Sequence, residues 1–431
     1  MNTTFTTVKV QQFKTQANPF SGINFVNHYF NKSGLSSLID NELGGRGRNA
    51  VYSYSDILRN LCNVALSGGS VIEDINSHFR EHLESIPNNK VPSADTLLRA
   101  ITELTTTNTV YTSQSGNTYD FNINLKMNRL LVKSLKLTGQ LQEGEMYDFD
   151  YDNQINANHK WDAKRTYKKN EGYLPGIATI GNKIVYIENR DGNANVKFKQ
   201  EDTLERAYTI LEEEGIKINR SRMDAGSYSK EIIKMVNQHS ELFYIRANKS
   251  ENLFQQINQI KDWETIEINH KQYQVASIPF KQFFEEKGYR LVIMREKAKS
   301  NQLDLFTQDS YIYRSILTND HNSTEKEVIE FYNQRGASEK TFDVMNNDFW
   351  WKHLPFSFLS QNNTFMIVMA LLKNFYNYLI VKISSGFPEL DSKSRLKKFI
   401  FRFVTVAGKW VWQSRTWILK LYTRKPYHLL V

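Results

Sequence analysis

The sequence predicts an α/β protein in which a core of strands and helices follows a mainly helical segment. Two observations predict this class. Apolar residues recur at three- and four-residue spacing over much of residues 1–140, which is typical of amphipathic helices. Short strand-like runs then alternate with helical patterns over about residues 141–247, as in a sheet covered by helices. With 431 residues, the chain is long enough for about three domains.

Composition excludes several other classes of protein. Hydrophobic residues make up 40% of the chain and charged residues 23%, which indicates a folded protein. The single cysteine, Cys62, excludes an intramolecular disulfide framework and a cysteine-cluster zinc site. The first residues lack a secretory signal pattern. The most apolar stretch, Phe365–Ile383, is interrupted by Lys373, so we expect a buried helix, a cytosolic protein and no membrane partner.

The pattern along the chain predicts five segments. Their predicted bounds are a helical domain at 1–140, the first part of the core at 141–247, a β-rich insertion at 248–320, a second part of the core at 321–385 and a basic tail at 386–431. In the first part of the core, the predicted strands are Glu145–Asp150, Gly176–Ile180, Ile184–Glu188, Lys217–Met223 and Leu242–Ala247, and the predicted helices are Glu201–Glu214 and Ser229–Gln238. The predicted strands of the insertion are Thr265–Ile268, Gln272–Ser277, Tyr289–Met294 and Tyr311–Leu317. A capping-box pattern at Thr324–Glu327 predicts a helix that continues to about Met345.

Two regions have features of nucleic-acid contact. Ile72–Leu83 and a capped helix at Ser93–Leu104 could form a helix-turn-helix that presents Arg99 to a groove. The net charge of +9 is concentrated near the C-terminus, where residues 393–425 hold Lys397, Lys398 and Arg402 among their basic residues and contain no acidic residue. Such a segment suits contact with phosphates. We expect this basic tail to be helical, and its docking to the body of the protein or to a second protomer is the alternative to nucleic-acid contact.

Four acidic residues are placed where catalytic carboxylates are expected. Asp148 and Asp150 lie at the end of the first predicted core strand, and Asp224 follows a later strand. Functional groups of α/β sheets concentrate at the carboxyl ends of strands. On the predicted helix after the insertion, one polar stripe spans about 60° at about 100° of rotation per residue. Its members are Tyr332, Arg335, Glu339 and Asn346. Three carboxylates that converge repel one another unless a divalent cation such as Mg²⁺ neutralises them.

These motifs together resemble those of a known family. The residues are Asp148-Phe149-Asp150-Tyr151-Asp152, Arg222-Met223-Asp224-Ala225-Gly226 and Tyr332-Asn333-Gln334-Arg335-Gly336-Ala337-Ser338-Glu339. They are similar to those of the DDE transposases of bacterial insertion sequences, in particular the IS4-like superfamily and, within it, the IS1380 family. The last motif resembles the Tyr-x2-Arg-x3-Glu-x6-Lys signature of that group, with Asn346 in place of the final lysine.

The resemblance implies a ribonuclease-H-like catalytic core and a β-rich insertion between the second aspartate and the glutamate. It implies that Asp150, Asp224 and Glu339 bind two Mg²⁺ ions, with Mn²⁺ as a possible substitute. Asp148 is the alternative to Asp150. Tyr332 and Arg335 would contact phosphates near the cleaved DNA end, and the Lys-to-Asn change at Asn346 alters one DNA contact.

The activity implied is cut-and-paste DNA transposition. The protein would bind the terminal inverted repeats of its own element as a homodimer on double-stranded DNA. It would cleave the ends with Mg²⁺-activated water and join the 3′-hydroxyl ends to target DNA, in the cytoplasm at the bacterial nucleoid. Two alternatives remain open: a metal-dependent structure-specific nuclease without strand transfer, and a non-enzymatic helix-turn-helix DNA-binding protein.

Overall fold

The computed structural model describes residue 11 and residues 17–280, 288–297 and 311–430. Parts of the predicted insertion, 281–287 and 298–310, lie outside the described residues. In the described ranges the α-helices are α1 (Ile23–Lys32), α2 (Leu35–Leu43), α3 (Tyr54–Leu66), α4 (Arg80–Glu84), α5 (Ala94–Glu103), α6 (Leu125–Leu137), α7 (Gln200–Glu213), α8 (Lys230–His239), α9 (Glu251–Asn258), α10 (Glu325–Asn333), α11 (Ala337–Asp348), α12 (Leu359–Ser384) and α13 (Leu396–Phe399).

The strands of the same ranges form three sheets. They are β1 (Asn108–Thr112), β2 (Thr118–Asn122), β3 (Met146–Asn153), β4 (Asn156–Ala157), β5 (Lys164–Arg165), β6 (Glu171–Tyr173), β7 (Gly176–Ile180), β8 (Lys183–Arg190), β9 (Lys217–Met223), β10 (Leu242–Arg246), β11 (Glu264–Ile268), β12 (Lys271–Phe280), β13 (Tyr289–Lys297), β14 (Tyr311–Thr318), β15 (Gly408–Gln413) and β16 (Thr416–Leu421).

An eleven-stranded mixed sheet forms the centre of the fold. Its strand order is β1-β2-β8-β7-β3-β9-β10-β14-β13-β12-β11. The neighbours β3, β9 and β10 run parallel, and the other neighbours run antiparallel. This arrangement confirms the predicted mixed α/β class and puts the carboxyl ends of β3 and β9 side by side.

The strands predicted as a separate insertion extend this sheet. Strand β14 pairs antiparallel with β10, and β13, β12 and β11 follow in order. The segment before residue 140 also contributes the β1–β2 hairpin, which joins the sheet beside β8. The prediction that residues 1–140 are mainly helical therefore misses one hairpin, whose backbone hydrogen bonds are made with a strand about seventy residues further along the chain.

Side-chain caps fix where several helices begin. The Ser93 hydroxyl accepts a hydrogen bond from the Thr96 amide at the start of α5. At α10, Thr324 and Glu327 form the predicted capping box, with the hydroxyl bonded to the Glu327 amide and the carboxylate to the Thr324 amide. Such caps satisfy amide groups that would otherwise lack partners and typically contribute about 1 kcal/mol.

A long apolar helix, α12, organises the helical layer. It contacts α6 and β8 and is buried over most of its length. By length and composition alone it is the one helix among the described residues that could cross a membrane, but most of its apolar window is buried inside the protein. Helix α12 is therefore the buried core helix that the Phe365–Ile383 pattern predicts.

The basic tail is helical only in part. After the short helix α13 and a π-helical turn at Ile400–Val404, the chain forms the β15–β16 hairpin. The hairpin turns at Ser414 and Arg415, which both have positive φ angles of 52° and 61°, as a two-residue type I′ turn requires. The aromatic and β-branched run Trp410-Val411-Trp412 suits a strand, and pairing with β16 decides the conformation.

The buried lysine of α12 makes stability depend on pH. Burial, followed by the charge of Lys183, lowers the pKa of Lys373 from 10.5 to about 7, and the Lys373 ammonium donates to the Asn182 carbonyl. Below about pH 7 both the folded and the unfolded state carry the proton, so the folded state bears the full cost of the buried charge. Between pH 7 and 10.5 the unfolded state binds more protons, so stability rises with pH.

We expect Lys373→Met to raise the melting temperature by a few degrees at about pH 6, and this gain over the parent should shrink as the pH approaches about 10. Thermal unfolding of both proteins across this pH range tests the expectation. The exposed Lys382 of the same helix provides the control, since Lys382→Met removes a solvated charge. A difference between parent and Lys373→Met that stays constant with pH would refute this account of Lys373.

Candidate active site

Acidic and basic side chains alternate along two neighbouring parallel strands. In β3, acids occupy every second position, while Phe149 and Tyr151 point to the buried opposite face. In β9, Arg220 and Arg222 lie directly across from two of these acids. The two strands therefore form a ladder of charged pairs on one face of the sheet, and the ladder leads to the carboxyl ends of both strands.

The first two rungs of this ladder are complete ion pairs. Asp148 accepts two hydrogen bonds of 2.7 Å from the Nε and Nη2 of Arg220. Asp150 accepts two of 2.7 Å from the Nε and Nη2 of Arg222. Both guanidinium groups also stack on the ring of Phe331 in α10. These bidentate pairs hold β3, β9 and α10 together.

Asp150 is buried inside this structure. Its exposed fraction is 2%, and Arg222 also donates from Nη1 to the Phe331 carbonyl at 3.0 Å. Burial raises the pKa of Asp150, although the hydrogen bonds and charge of Arg222 oppose the rise. Because both carboxylate oxygens are bound to one guanidinium, Asp150 would have to give up Arg222 before it could bind a metal ion.

The third rung pairs two acids. The register that joins Tyr151 to Met223 brings Asp152 and Asp224, one residue further along each strand, to the same level. Burial, Asp224 and Glu339 raise the pKa of Asp152 to about 6, against the opposing charge of Arg335. Asp224 and Glu339 thus add negative charge to the surroundings of Asp152, although burial is the main cause of its raised pKa.

Arg335 supplies the positive charge at this rung. Its Nη1 lies 3.0 Å from the Asp152 Oδ2. Burial lowers the pKa of Arg335, but Asp152, Tyr332 and Asp224 outweigh this effect and raise it. The buried Tyr332 donates from its hydroxyl to the Met223 carbonyl at 3.3 Å. Arg335 and Tyr332 thus lie beside the carboxyl end of β9, and their contact with DNA phosphates stays a prediction.

The predicted helix that carries Glu339 is broken. Helix α10 ends at Asn333, a 3₁₀ turn covers Gln334–Gly336, and α11 begins at Ala337. The prediction of one continuous helix with a single polar stripe is therefore wrong, because the turn changes the rotation per residue. Glu339 lies exposed in the first turn of α11, and Asn346 lies two turns further along that helix.

The donor types of this site fit a hard divalent cation, which prefers carboxylate oxygens. Asp152, Asp224 and Glu339 supply only such oxygens, and after burial the charges of Asp224 and Glu339 contribute to the raised pKa of Asp152. Asp224 also accepts a hydrogen bond of 2.8 Å from the Gly226 amide, which fixes its side chain. Over the described ranges, however, no group of three or more His, Cys, Asp or Glu side chains is close enough to hold a metal ion.

The expectation that Asp150 is the last acid of its strand is wrong. Strand β3 continues to Asn153, so Asp152 lies nearer its carboxyl end. Sequence reasoning passed over Asp152 and the two strand arginines. The sequence did contain a signal for these residues. Arg220, Arg222 and Asp224 are spaced two residues apart, as are Asp148, Asp150 and Asp152. Aligning the two runs gives two acid–arginine pairs followed by two acids.

The other predicted DNA-contacting residues lie on the surface away from this ladder. Arg99 is exposed on α5. Lys398 pairs with Asp391 at 2.9 Å, and Arg402 lies 3.7 Å from Glu389. Lys397 is exposed and has no acidic partner among the residues described. Of the three predicted tail cations, Lys397 is thus the one available to a ligand without first breaking an ion pair.

Comparison with known proteins identifies the family. The family described as "Transposase DDE domain group 1" matches residues 20–431, nearly the whole chain, while no protein of curated function matches. The mixed α/β fold with its large mixed sheet is consistent with a ribonuclease-H-like DDE transposase. Such proteins are metal-dependent, nucleic-acid-processing enzymes that act on DNA with divalent metal ions, and they are typically soluble and cytoplasmic. The chain belongs to this family of DDE transposases.

Proposed function

We propose that the protein is the cut-and-paste transposase of an insertion sequence of the IS4-like superfamily, within or close to the IS1380 family. It binds the inverted-repeat ends of its own element, cleaves them with Mg²⁺-activated water and joins the 3′-hydroxyl ends to target DNA. The observation that carries this proposal is the register of the parallel strands β3 and β9, whose last pair, Tyr151 and Met223, is followed directly by Asp152 and Asp224. Glu339 adds to the rise in the pKa of Asp152.

We assign the metal-binding role to Asp152, Asp224 and Glu339, in place of the set with Asp150. When bound there, two Mg²⁺ ions would activate the attacking oxygen and stabilise the leaving oxygen of a phosphodiester. Mn²⁺ would serve as a substitute. Asp150 and Asp148 hold Arg222 and Arg220, and the buried Asp150–Arg222 pair positions the end of β9.

Arg335 has two roles in this proposal. Without DNA it neutralises Asp152, since its Nη1 lies 3.0 Å from that carboxylate. With DNA bound, its planar guanidinium suits a bidentate contact to a phosphate oxygen pair. Tyr332 fixes the 3₁₀ turn that carries Arg335 through its hydrogen bond to the Met223 carbonyl. Because Tyr332 is buried, we assign it to positioning Arg335 and not to direct contact with DNA.

DNA binding and assembly complete the proposed function. The exposed Arg99 on α5 and the exposed Lys397 suit contacts to the double-stranded ends. Two ends must be joined together, so we propose a homodimer on DNA. The protein would work at the bacterial nucleoid in the cytoplasm.

Joining of DNA ends distinguishes transposition from simple cleavage. We expect the protein, supplied with Mg²⁺, pre-cut ends from the DNA flanking its gene and a target plasmid, to give joined products. Glu339→Gln should lower joining by more than about 100-fold, because loss of even an outer-shell partner of a metal costs about 10–100-fold. Its affinity for the ends should stay within about twofold of the parent.

The outcomes separate the alternatives. Cleavage without joining would identify a structure-specific nuclease on the same core. DNA binding with neither reaction would identify a non-enzymatic DNA-binding protein. Joining by Glu339→Gln at the rate of the parent would contradict the assignment of Glu339.

A further inference from the structure

Two adjoining cavities form a cleft beside α11. The first, of about 540 Å³, lies between the loop at 68–70, the end of α11 and α13. The second, of about 460 Å³, continues past the loop at 157–160. The two share Trp350, Lys352 and His353 as lining residues, so they adjoin at these residues and together make up the cleft. We call it the α11 cleft.

Positive charge dominates the first cavity. Lys352 and Lys397 line it, both are exposed, and neither has an acidic partner within the part of the chain that the structure describes. Asp348 also lines this cavity, but its Oδ2 is bound to the Nε of Arg395 at 2.8 Å. The local charge available to a ligand is therefore positive.

The second cavity adds a further cation and one acid. Lys160 lines it, as does the exposed Glu73. His159 lines it too, but its ring already lies 3.2 Å from the Glu171 carboxylate. The stronger positive charge thus lies in the first cavity, around Lys352 and Lys397.

The cleft begins on the same helix as the proposed active site. Asn346 lines the first cavity and lies seven residues after Glu339 on α11, which corresponds to about 10 Å along the helix axis. At about 3.4 Å per nucleotide of one strand, this distance is about three nucleotides. A DNA strand that leaves the carboxylates along α11 would therefore reach the cleft within a few nucleotides.

The walls of the cleft are held in place. Trp350, which is 5% exposed, has a positive φ of 59°, and its indole Nε1 donates to the Gly69 carbonyl at 2.9 Å. Such a backbone conformation is strained for a large side chain and persists only where the surroundings enforce it. On the other wall, Arg395 binds Asp343 and Asp348 at 2.5 and 2.8 Å, which ties the segment before α13 to α11.

We propose that the α11 cleft binds the phosphate backbone of the DNA strand that continues from the carboxylates, with Lys352 and Lys397 as the main contacts. The two lysines supply positive charge at the level of Asn346, where the sequence lacks the lysine of the Tyr-x2-Arg-x3-Glu-x6-Lys pattern. This inference rests on the proposed function, since it takes DNA as the ligand and Glu339 as part of the site.

The salt dependence of DNA affinity tests the proposal. Binding of a short labelled duplex is measured without divalent metal ions over a range of salt concentrations, for Lys352→Gln, Lys397→Gln and the parent. Each variant should reduce the slope of log affinity against log salt by about 0.9, the value of one phosphate contact. The control is Lys234→Gln, because Lys234 is an equally exposed lysine on α8, which packs into a different hydrophobic cluster from α11. Unchanged slopes for both cleft variants would overturn the proposal.

Cross-linking gives a second, positional readout. Cys62 is fully buried, so a cysteine introduced by Lys397→Cys would be the accessible thiol of the described residues. It should form a disulfide with DNA that carries a thiol tether on a backbone phosphate, at least about tenfold faster than Lys234→Cys. Equal rates for the two variants would refute the proposal. If the parent protein binds no duplex at all, the proposed function is wrong as well. If the parent binds the duplex and both cleft variants bind it with the same salt dependence, only the inference about the cleft is wrong.

Discussion

Asp152→Asn is expected to lower metal-dependent DNA cleavage by more than about 100-fold, a loss at least as large as that of an outer-shell metal partner. The substitution keeps the shape of the side chain but removes the charge that a divalent cation needs. After the substitution, the negative charge of Asp224 still acts on the Arg335 guanidinium. Arg335 therefore keeps a nearby counter-charge, and the protein should still fold. Cleavage activity is measured with Mg²⁺ on DNA that contains the ends of the element. Thermal unfolding of the same preparation shows whether the variant is folded.

The matched control for this variant is Asp148→Asn. Asp148 lies on the same face of β3 and is also paired with an arginine, but the pair is about one-third exposed. An ion pair with this exposure typically contributes no more than about 1 kcal/mol, so Asp148→Asn should cleave DNA at close to the parent rate. Cleavage by Asp152→Asn at the parent rate would show that Asp152 is not part of the metal site.

The second large effect is on stability. Asp150→Asn is expected to lower the free energy of unfolding by about 3–5 kcal/mol, because it leaves the Arg222 guanidinium buried without its counter-charge. The exposed side-chain fractions of the pair are 6% for Arg222 and 2% for Asp150, so solvent cannot replace the lost interaction. Urea unfolding of the parent and the variant gives this difference directly.

A double variant separates a structural role of Asp150 from a catalytic one. If the pair is structural, Asp150→Asn combined with Arg222→Met should be less destabilised than the sum of the two single variants, since the uncompensated charge is gone. If Asp150→Asn instead had the stability of the parent but no cleavage activity, Asp150 would be part of the metal site. That result would support Asp150, in place of Asp152, as the metal-binding residue of β3.

Much of the fold can be predicted from local signals. The hairpin of β7 and β8, the capped start of α10 and the buried helix α12 all follow from residues close together in sequence. The β15–β16 hairpin is harder to predict, because Ser414 and Arg415 at its turn are not the glycine or asparagine that usually mark such turns. The break after α10 carried a weak signal in Gly336, which the helical periodicity of the polar residues obscured.

The candidate site shows a different kind of limit. Strict alternation of acids in β3 makes Asp148, Asp150 and Asp152 equivalent by periodicity, since all three point to one face. What distinguishes them is the neighbouring strand, where Arg220 and Arg222 neutralise the first two acids, whereas Asp224 follows the last residue of β9 that pairs with β3. That distinction depends on the parallel register between strands about seventy residues apart, which a single sequence does not specify.

The location of bound metal tests the central assignment most directly. Crystals of the full chain with DNA ends and Mn²⁺ would show the ion by its anomalous scattering. The account predicts an anomalous peak bonded to the carboxylates of Asp152 and Asp224, with the Asp150–Arg222 pair intact. A peak bonded to Asp150, with Arg222 displaced from it, would contradict the account.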